Sequence, residues 1–224
     1  MIKLTALLPM KDHSERIPKK NIREFNGSPL YHCIAKTLNK SEYIQSIVIN
    51  TDSETISKDA ISNFSKVKIH SRPIEIQGDM VTMNDIIAHD LSILDGRHFL
   101  QTHSTNPLLT IQTLEKAIQF YYNNLDQYDS LFSVTPLHTR LYNESGKPIN
   151  HNQNILSRTQ DLPPIFEENS NIYIFSKDSF YASGNNRIGL HPKMFKMNKC
   201  ESIDIDEEFD FQMAEYFYKN EMDR

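Results

Sequence analysis

The chain has 224 residues, 38% of them hydrophobic and 24% charged, with a formal net charge of −5. That length suits one large domain able to bury its own core without disulfides or structural metals, and the acidic balance argues against a general nucleic-acid binder. Two cysteines, Cys33 and Cys200, lie far apart and match no ligand spacing, as expected of reduced thiols in a cytoplasmic protein. The apolar run before Lys11 is too short for a signal peptide, and no stretch approaches a membrane span.

Short β-branched runs alternate with longer helical stretches. Residues 2–9 read as a buried strand, followed by a polar loop to about Phe25. Residues 29–40 read as a helix with Leu30, Ile34, Thr37 and Leu38 inward, and 44–51 as a second buried strand. Residues 53–64 form a helix capped by Asp52 or Ser53, 67–70 a short strand, and 82–94 a helix. A strand at 98–102 enters a polar loop before Pro107; a helix at 110–123 and a strand at 130–134 follow. The alternation breaks at 136–168, where 139–142, the turn at 144–146 and 147–150 read as a β-hairpin. The pattern then resumes with strands at 172–175 and 195–197. A last helix at 207–219 is expected to turn Phe209, Met213, Ala214 and Phe217 inward. This alternation predicts a mainly parallel sheet covered by helices. Ligands then belong beyond the carboxyl ends of the strands, in the loops after Pro9, Thr51 and Gln101.

The first of those loops is a cationic patch inside an acidic chain. Residues 11–23 hold Lys11, Arg16, Lys19, Lys20 and Arg23 against Asp12 and Glu15. Ammonium and guanidinium groups at a strand's carboxyl end suit a triphosphate, although a solvated charged loop is the common fate of such runs. With no glycine-rich phosphate loop, side chains rather than a backbone nest must hold the phosphates. Near the end of the chain, Asp204 and Asp206 stand two apart, so in an extended segment both carboxylates face one way. Hard oxygen ligands suit Mg²⁺ completed by water and nucleotide phosphates. Asp206 could also cap the last helix, which leaves Asp204 unexplained. The nine histidines fit no zinc spacing, and no serine-nucleophile elbow is present.

Pro9, Ser14, Pro18, Lys20 and Asn21 match a strand followed by P-x-R-x-x-S-x-x-x-P-x-K-N, with Lys11 replacing the arginine and the loop glycines absent. Thr51-Asp52, Arg72-Pro73, Gly78-Asp79 with Thr82, the run from Arg158 to Pro164, Asn169 to Tyr173 with Ser170 replacing glycine, and Ser202 to Asp206 continue in register. On these motifs the chain resembles the acylneuraminate cytidylyltransferase (CMP-N-acetylneuraminate synthetase) family. The resemblance implies a three-layer, Rossmann-like nucleotidyltransferase fold whose excursion at 136–168 forms a homodimer. It implies CTP and an acidic nine-carbon sugar as substrates, and Mg²⁺ (or Mn²⁺) on Asp204 and Asp206. Lys20 joins these two aspartates as a catalytic residue. Lys11, Ser14, Arg16, Lys20, Asn21, Arg72 and Thr82 would meet the nucleotide. Gln101, Asn169, Tyr173 and the cations Arg140 and Arg158 would meet the sugar. Thr82 could equally be a helix cap, Arg72 a surface arginine, and Tyr173 a core strand residue.

The family's Q-P-T-S-P-L is replaced by a longer run from Gln101 to Leu108, which leaves the sugar contact either with Gln101 or with His103 and Ser104. Two other readings compete. Asp204-x-Asp206 is also the metal signature of nucleotide-sugar glycosyltransferases, although there it normally follows a middle strand. Lys11 and the absent loop glycines are also compatible with a nucleotide-binding homologue that has lost catalysis.

Overall fold

The computed structural model describes residues 3–14, 16–155 and 157–222, so Ile2, predicted in the first strand, and Glu15 of the cationic loop lie outside the described residues. Strand β1 (Leu4–Leu7) leads through a two-strand hairpin, β2 (Glu24–Phe25) and β3 (Ser28–Pro29), into helix α1 (Tyr31–Lys40). There follow β4 (Ile44–Thr51), α2 (Glu54–Asn63), β5 (Val67–Ser71), α3 (Met83–Ile93), β6 (His98–Gln101) and α4 (Ile111–Asn123). The chain closes with β7 (Ser130–Leu137), β8 (Ile165–Ser176), α5 (Lys177–Ala182), β9 (Pro192–Lys196) and α6 (Glu208–Phe217).

Seven strands make one sheet in the order β5-β4-β1-β6-β8-β7-β9. β8 runs antiparallel to β6 and β7, and the remaining pairings are parallel. Every residue of β1 is buried, because helices cover both faces of a parallel sheet and leave no strand face for water. On one face α1, α2 and α4 bring Ile34, Leu38, Ile56, Leu114 and Ile118 against Leu4, Ala6 and Ile47. On the other, Ile87 and Leu91 of α3 and Phe180 of α5 meet Leu7, Val48, Phe99 and Phe175. Each such side chain contributes about 1.5–3 kcal/mol by leaving water, and the three layers are those expected from the alternation. No helix among the described residues is long and apolar enough to cross a membrane.

The connections decide where a ligand can enter. From β1 the chain moves outward through β4 to β5, then returns to the opposite side of β1 as β6. The loops leaving β1 and β6 therefore diverge, opening a crevice at a topological switch point. A third apolar cluster holds the rim of that crevice: Ile17, Phe25 and Leu30 from the β1 side, Leu108 from the β6 side, and Ile205, Phe211 and Ala214 from the end of the chain.

Four details differ from the sequence-based expectation. β8 is twelve residues long where only its second half was expected. It breaks register opposite Phe132–Val134, and Ser170 lies there at φ 56°, the left-handed region a glycine enters freely. The predicted hairpin beyond Leu137 is present but short: Tyr142 bridges Pro148 antiparallel, flanked by Asn143 N donating to the Lys147 carbonyl at 2.9 Å and Ile149 N to the Leu141 carbonyl at 2.8 Å. The last helix turns Phe211 and Ala214 inward, leaving Phe209 68% exposed and Met213 36% exposed. Its N-cap is Glu207, in a capping box with Asp210, rather than Asp206.

Candidate active site

A cavity of about 240 Å³ fills the crevice, lined by Pro9, Met10, Lys11, Ser14, Arg16, Lys20 and Asn21 after β1 and by His103, Ser104 and Thr105 after β6. Ile17 and Phe25 sink into the rim cluster on either side of Lys20, so burial of two apolar neighbours fixes a loop that would otherwise be free. Lys19 turns left-handed at φ 53° and starts the one-turn helix Lys20–Ile22. That conformation costs about 1 kcal/mol for a non-glycine residue, and it presents Lys20. Asn21 joins the two sides: its Nδ2 donates to the Lys11 carbonyl at 2.8 Å, and its Oδ1 accepts from the Ser104 hydroxyl at 2.6 Å. Arg23 anchors the far end of the loop, gripping Glu208 through two hydrogen bonds and lying over the Phe211 ring at 4.0 Å.

The carboxylate segment closes against these cations. Ile205 is fully buried and its amide donates to the Thr105 carbonyl at 2.9 Å. Arg16 Nη2 donates to Asp206 Oδ1 at 2.7 Å, and Lys20 Nζ donates to the Ile205 carbonyl at 2.6 Å while standing 3.8 Å from Asp206 Oδ1. Burial pushes the Lys20 ammonium below its ordinary range, and Asp206 opposes that shift. Asp204 moves the other way. Burial raises its carboxyl, a hydrogen bond with Thr105 lowers it, and the Asp206 charge raises it further. Asp204 Oδ1 is buried without a hydrogen-bond partner, a state that costs free energy unless a cation or water completes it. Among the described residues no group of three or more His, Cys, Asp or Glu side chains could hold a metal by itself. Two carboxylates with an orphaned oxygen nevertheless fit Mg²⁺, which takes its other ligands from water and phosphate.

The remaining expected site residues divide into two groups. Gln101 and Tyr173 meet in a buried group behind His103. Arg72, Thr82, Asn169, Arg140 and Arg158 do not line the cavity. Arg72 is buried, donating to Asn50 Oδ1 and to the Met10 and Asn50 carbonyls at 2.8–3.2 Å, so it braces the start of the cationic loop from below. Thr82 caps α3 in a capping box with Asp85. Asn169 bonds Ser133 and Thr135 across the register break. Arg140 donates to the Ser157 carbonyl, and the exposed Arg158 pairs with Asp161 at 2.7 Å. Lys11, on the cavity wall, pairs with the exposed Asp79 at 2.6 Å.

One residue of this neighbourhood was not visible in the sequence. Arg187, on the loop between α5 and β9, lies over the Tyr173 ring at 3.6 Å and donates to Gln101 Oε1. No spacing or pattern marks an arginine in a polar loop as buried; only the packing of β8 against β6 brings it here. His103 carries the largest shift of the site. Desolvation, then Arg187, then Lys20 push its pKa down to about 3, which favours the neutral imidazole although the ring keeps some exposure on the cavity wall.

The cytidylyltransferase family model matches residues 5–223. The chain is 24% identical to a pseudaminic acid cytidylyltransferase of Campylobacter jejuni, over 97% of each protein. It is 28% identical to N-acylneuraminate cytidylyltransferase A of Danio rerio, over 95% of this chain and 50% of that protein. Its fold superposes on a CMP:2-keto-3-deoxy-manno-octonic acid synthetase complexed with CTP, with a TM-score of 0.73, 11% identity, and coverage of 98% of this chain and 99% of the other. The chain belongs to the cytidylyltransferase family, that of the acylneuraminate cytidylyltransferases its motifs resemble, and is a nucleotidyltransferase.

Proposed function

We propose that this chain transfers the cytidylyl group of CTP to an acidic nonulosonic sugar, giving a CMP-sugar and pyrophosphate. The observation that carries this reading is that Lys11, Arg16 and Lys20 line one cavity at the switch point while Asp206 lies against Arg16 and Lys20; Asp204, two residues before it, lines a separate cavity with Thr135, Glu167 and Asp210. The phosphates would take Arg16 and Lys20 away from Asp206 and Ile205, and Lys11 away from Asp79. For Lys11 and Arg16 that exchange replaces solvent-screened surface ion pairs with charge-assisted bonds to phosphate oxygens. Lys20 is the best placed of the three, since it is 12% exposed and already partly desolvated. In-line attack of a sugar hydroxyl on the α-phosphorus needs positioning and charge neutralisation more than covalent chemistry from the protein.

Asp204 and Asp206 would hold a Mg²⁺ (or Mn²⁺) ion, which supplies Lewis-acid polarisation of the phosphate and a template for its geometry. Arg72 and Asn21 support the nucleotide loop, and Gln101 and Tyr173 the sugar side. The chain would work as a cytoplasmic homodimer through residues 136–168, where Tyr142, Ile149 and Ile155 are exposed. Arg158 and Arg140 lie on the same excursion, so a partner's copy could bring either cation to the sugar.

The test is pyrophosphate release from CTP with a panel of nonulosonic acids, against the other nucleoside triphosphates, with and without EDTA. Release with CTP and one acid, abolished by EDTA and restored by Mg²⁺, is the expected result. No release with any acid would overturn it. UDP release from a UDP-sugar would instead favour a glycosyltransferase, although the Asp204–Asp206 segment lies between β9 and α6 rather than after a middle strand.

A further inference from the structure

The loop at residues 101–108, which departs from the family pattern, places His103 on the cavity wall. Behind it stands a hydrogen-bond chain whose donors and acceptors can be assigned without ambiguity. Arg187 has only donors, so the Gln101 atom it meets is the carbonyl oxygen. That fixes the Gln101 amide with its NH₂ group toward the Thr102 carbonyl at 2.8 Å and His103 Nε2 at 3.1 Å. Arg187 Nη1 is also 3.4 Å from the same nitrogen. A ring nitrogen approached only by donors must accept, so the single hydrogen of the neutral imidazole sits on Nδ1. Arg187 is held in turn by the Tyr173 ring and by Glu168 Oε1 at 3.9 Å, and its backbone amide meets Asn84 at 3.4 Å.

We infer that Arg187, acting through Gln101, locks His103 as a neutral Nδ1–H donor on the cavity wall, and that this donor reads an acceptor oxygen of the sugar. Arg187 is then a positioning residue and His103 a specificity-determining one. The inference rests on the nucleotidyl-transfer reading for the identity of the ligand, but the lock itself does not. The division of labour follows from charge. A triphosphate demands full cations, and Lys11, Arg16 and Lys20 supply them from the β1 side. His103 belongs to the β6–β8 side, where a neutral donor backed by a buried guanidinium suits hydroxyls and a single carboxylate. The Arg187 guanidinium 3.4 Å from Nε2 opposes a second ring proton, which favours the same neutral donor over the range in which histidines ordinarily titrate.

Two measurements test this separately. In ¹⁵N-histidine-labelled protein without substrate, long-range ¹H–¹⁵N correlation should show His103 as the Nδ1–H tautomer. In Arg187→Met, which keeps the packing on Tyr173, the Nε2–H form should grow. A wild-type Nε2–H tautomer, or an unchanged tautomer in Arg187→Met, overturns the lock. For the second, the probe is CTP with whichever of N-acetylneuraminic or pseudaminic acid releases pyrophosphate with wild type. His103→Phe should raise the sugar KM by about tenfold or more, the usual effect of one lost substrate hydrogen bond. The CTP KM should stay within about twofold, and His103→Asn, whose amide nitrogen stands near the Nδ1 position, should recover most of the loss. An unchanged sugar KM in a folded His103→Phe, or a rise confined to the CTP KM, overturns the sugar-reading role. If neither acid reacts with wild type, the proposed function fails while the tautomer result still decides the lock.

Discussion

Asp204 shows how the metal-binding role proposed for it would oppose stability at a single residue. Its carboxyl is raised by burial and by Asp206, so the folded chain holds that proton more tightly than the unfolded chain does. The sign follows: the stability it contributes is present at acid pH and is lost as pH rises through its folded pKa. Asp204→Asn removes the buried charge, and its melting temperature at neutral pH, read by differential scanning fluorimetry, is expected to equal or exceed that of wild type. Pyrophosphate release should fall at least about a hundredfold if Asp204 is the metal ligand proposed above. A variant that is both destabilised and active would contradict this account. The two thiols differ for a related reason. Burial lifts Cys33 to about 11, whereas Cys200 is partly exposed. A disulfide-exchange reagent at pH 8 should therefore titrate one thiol in the native protein and two in guanidinium.

Among the elements, α3 tests the boundary between a structural and a functional residue. Thr82 accepts the Asp85 amide at 3.2 Å and donates to its carboxylate at 2.7 Å, so both capabilities of the hydroxyl are engaged in the cap. Thr82→Ala should cost about 1 kcal/mol, or about 2–4 °C in a domain of this size. Its CTP KM should be unchanged and Thr82→Ser should restore the loss; a raised CTP KM would return Thr82 to the nucleotide site. Elements also show where the sequence was readable. Ile44–Thr51 was legible to the residue because its β-branched centre, Ile47-Val48-Ile49, is a short apolar run that ends before Asp52. The first half of β8 was not: its Glu167, Glu168 and Asn169 read as a loop, and only pairing with β7 makes it a strand. α6 carries Phe209, Phe211, Met213 and Phe217 around its circumference, so no single stripe is dictated. The rim cluster of Phe25, Leu30 and Ile205 selects Phe211.

For the molecule as a whole, the excursion at residues 136–168 leaves Tyr142 48% and Ile149 60% exposed in a short one-bridge hairpin. Large apolar side chains together on a poorly paired surface segment suit an interface. Light scattering coupled to size exclusion should give a dimer for wild type and a monomer for Tyr142→Asp/Ile149→Asp. If Arg140 or Arg158 serves the partner's site, the monomer should lose sugar affinity more than CTP affinity. A wild-type monomer would exclude that arrangement.

The sequence by itself determined the alternation of strands and helices, the cationic loop after the first strand and the paired aspartates. These are local properties: periodicity follows from burial on one face or two, and clustered charge is visible along the chain. Tertiary structure decided what each polar residue does. Arg72 and Lys20 are both basic residues within matching motifs, yet one braces a loop from within and the other faces the cavity, because the sheet order puts Asn50 beneath the first and the crevice beside the second. Arg187 carried no local sign at all. Its partners, Gln101 on β6 and Tyr173 on β8, are brought beside it by an antiparallel strand pairing, and a buried guanidinium is defined by such partners rather than by its neighbours in sequence.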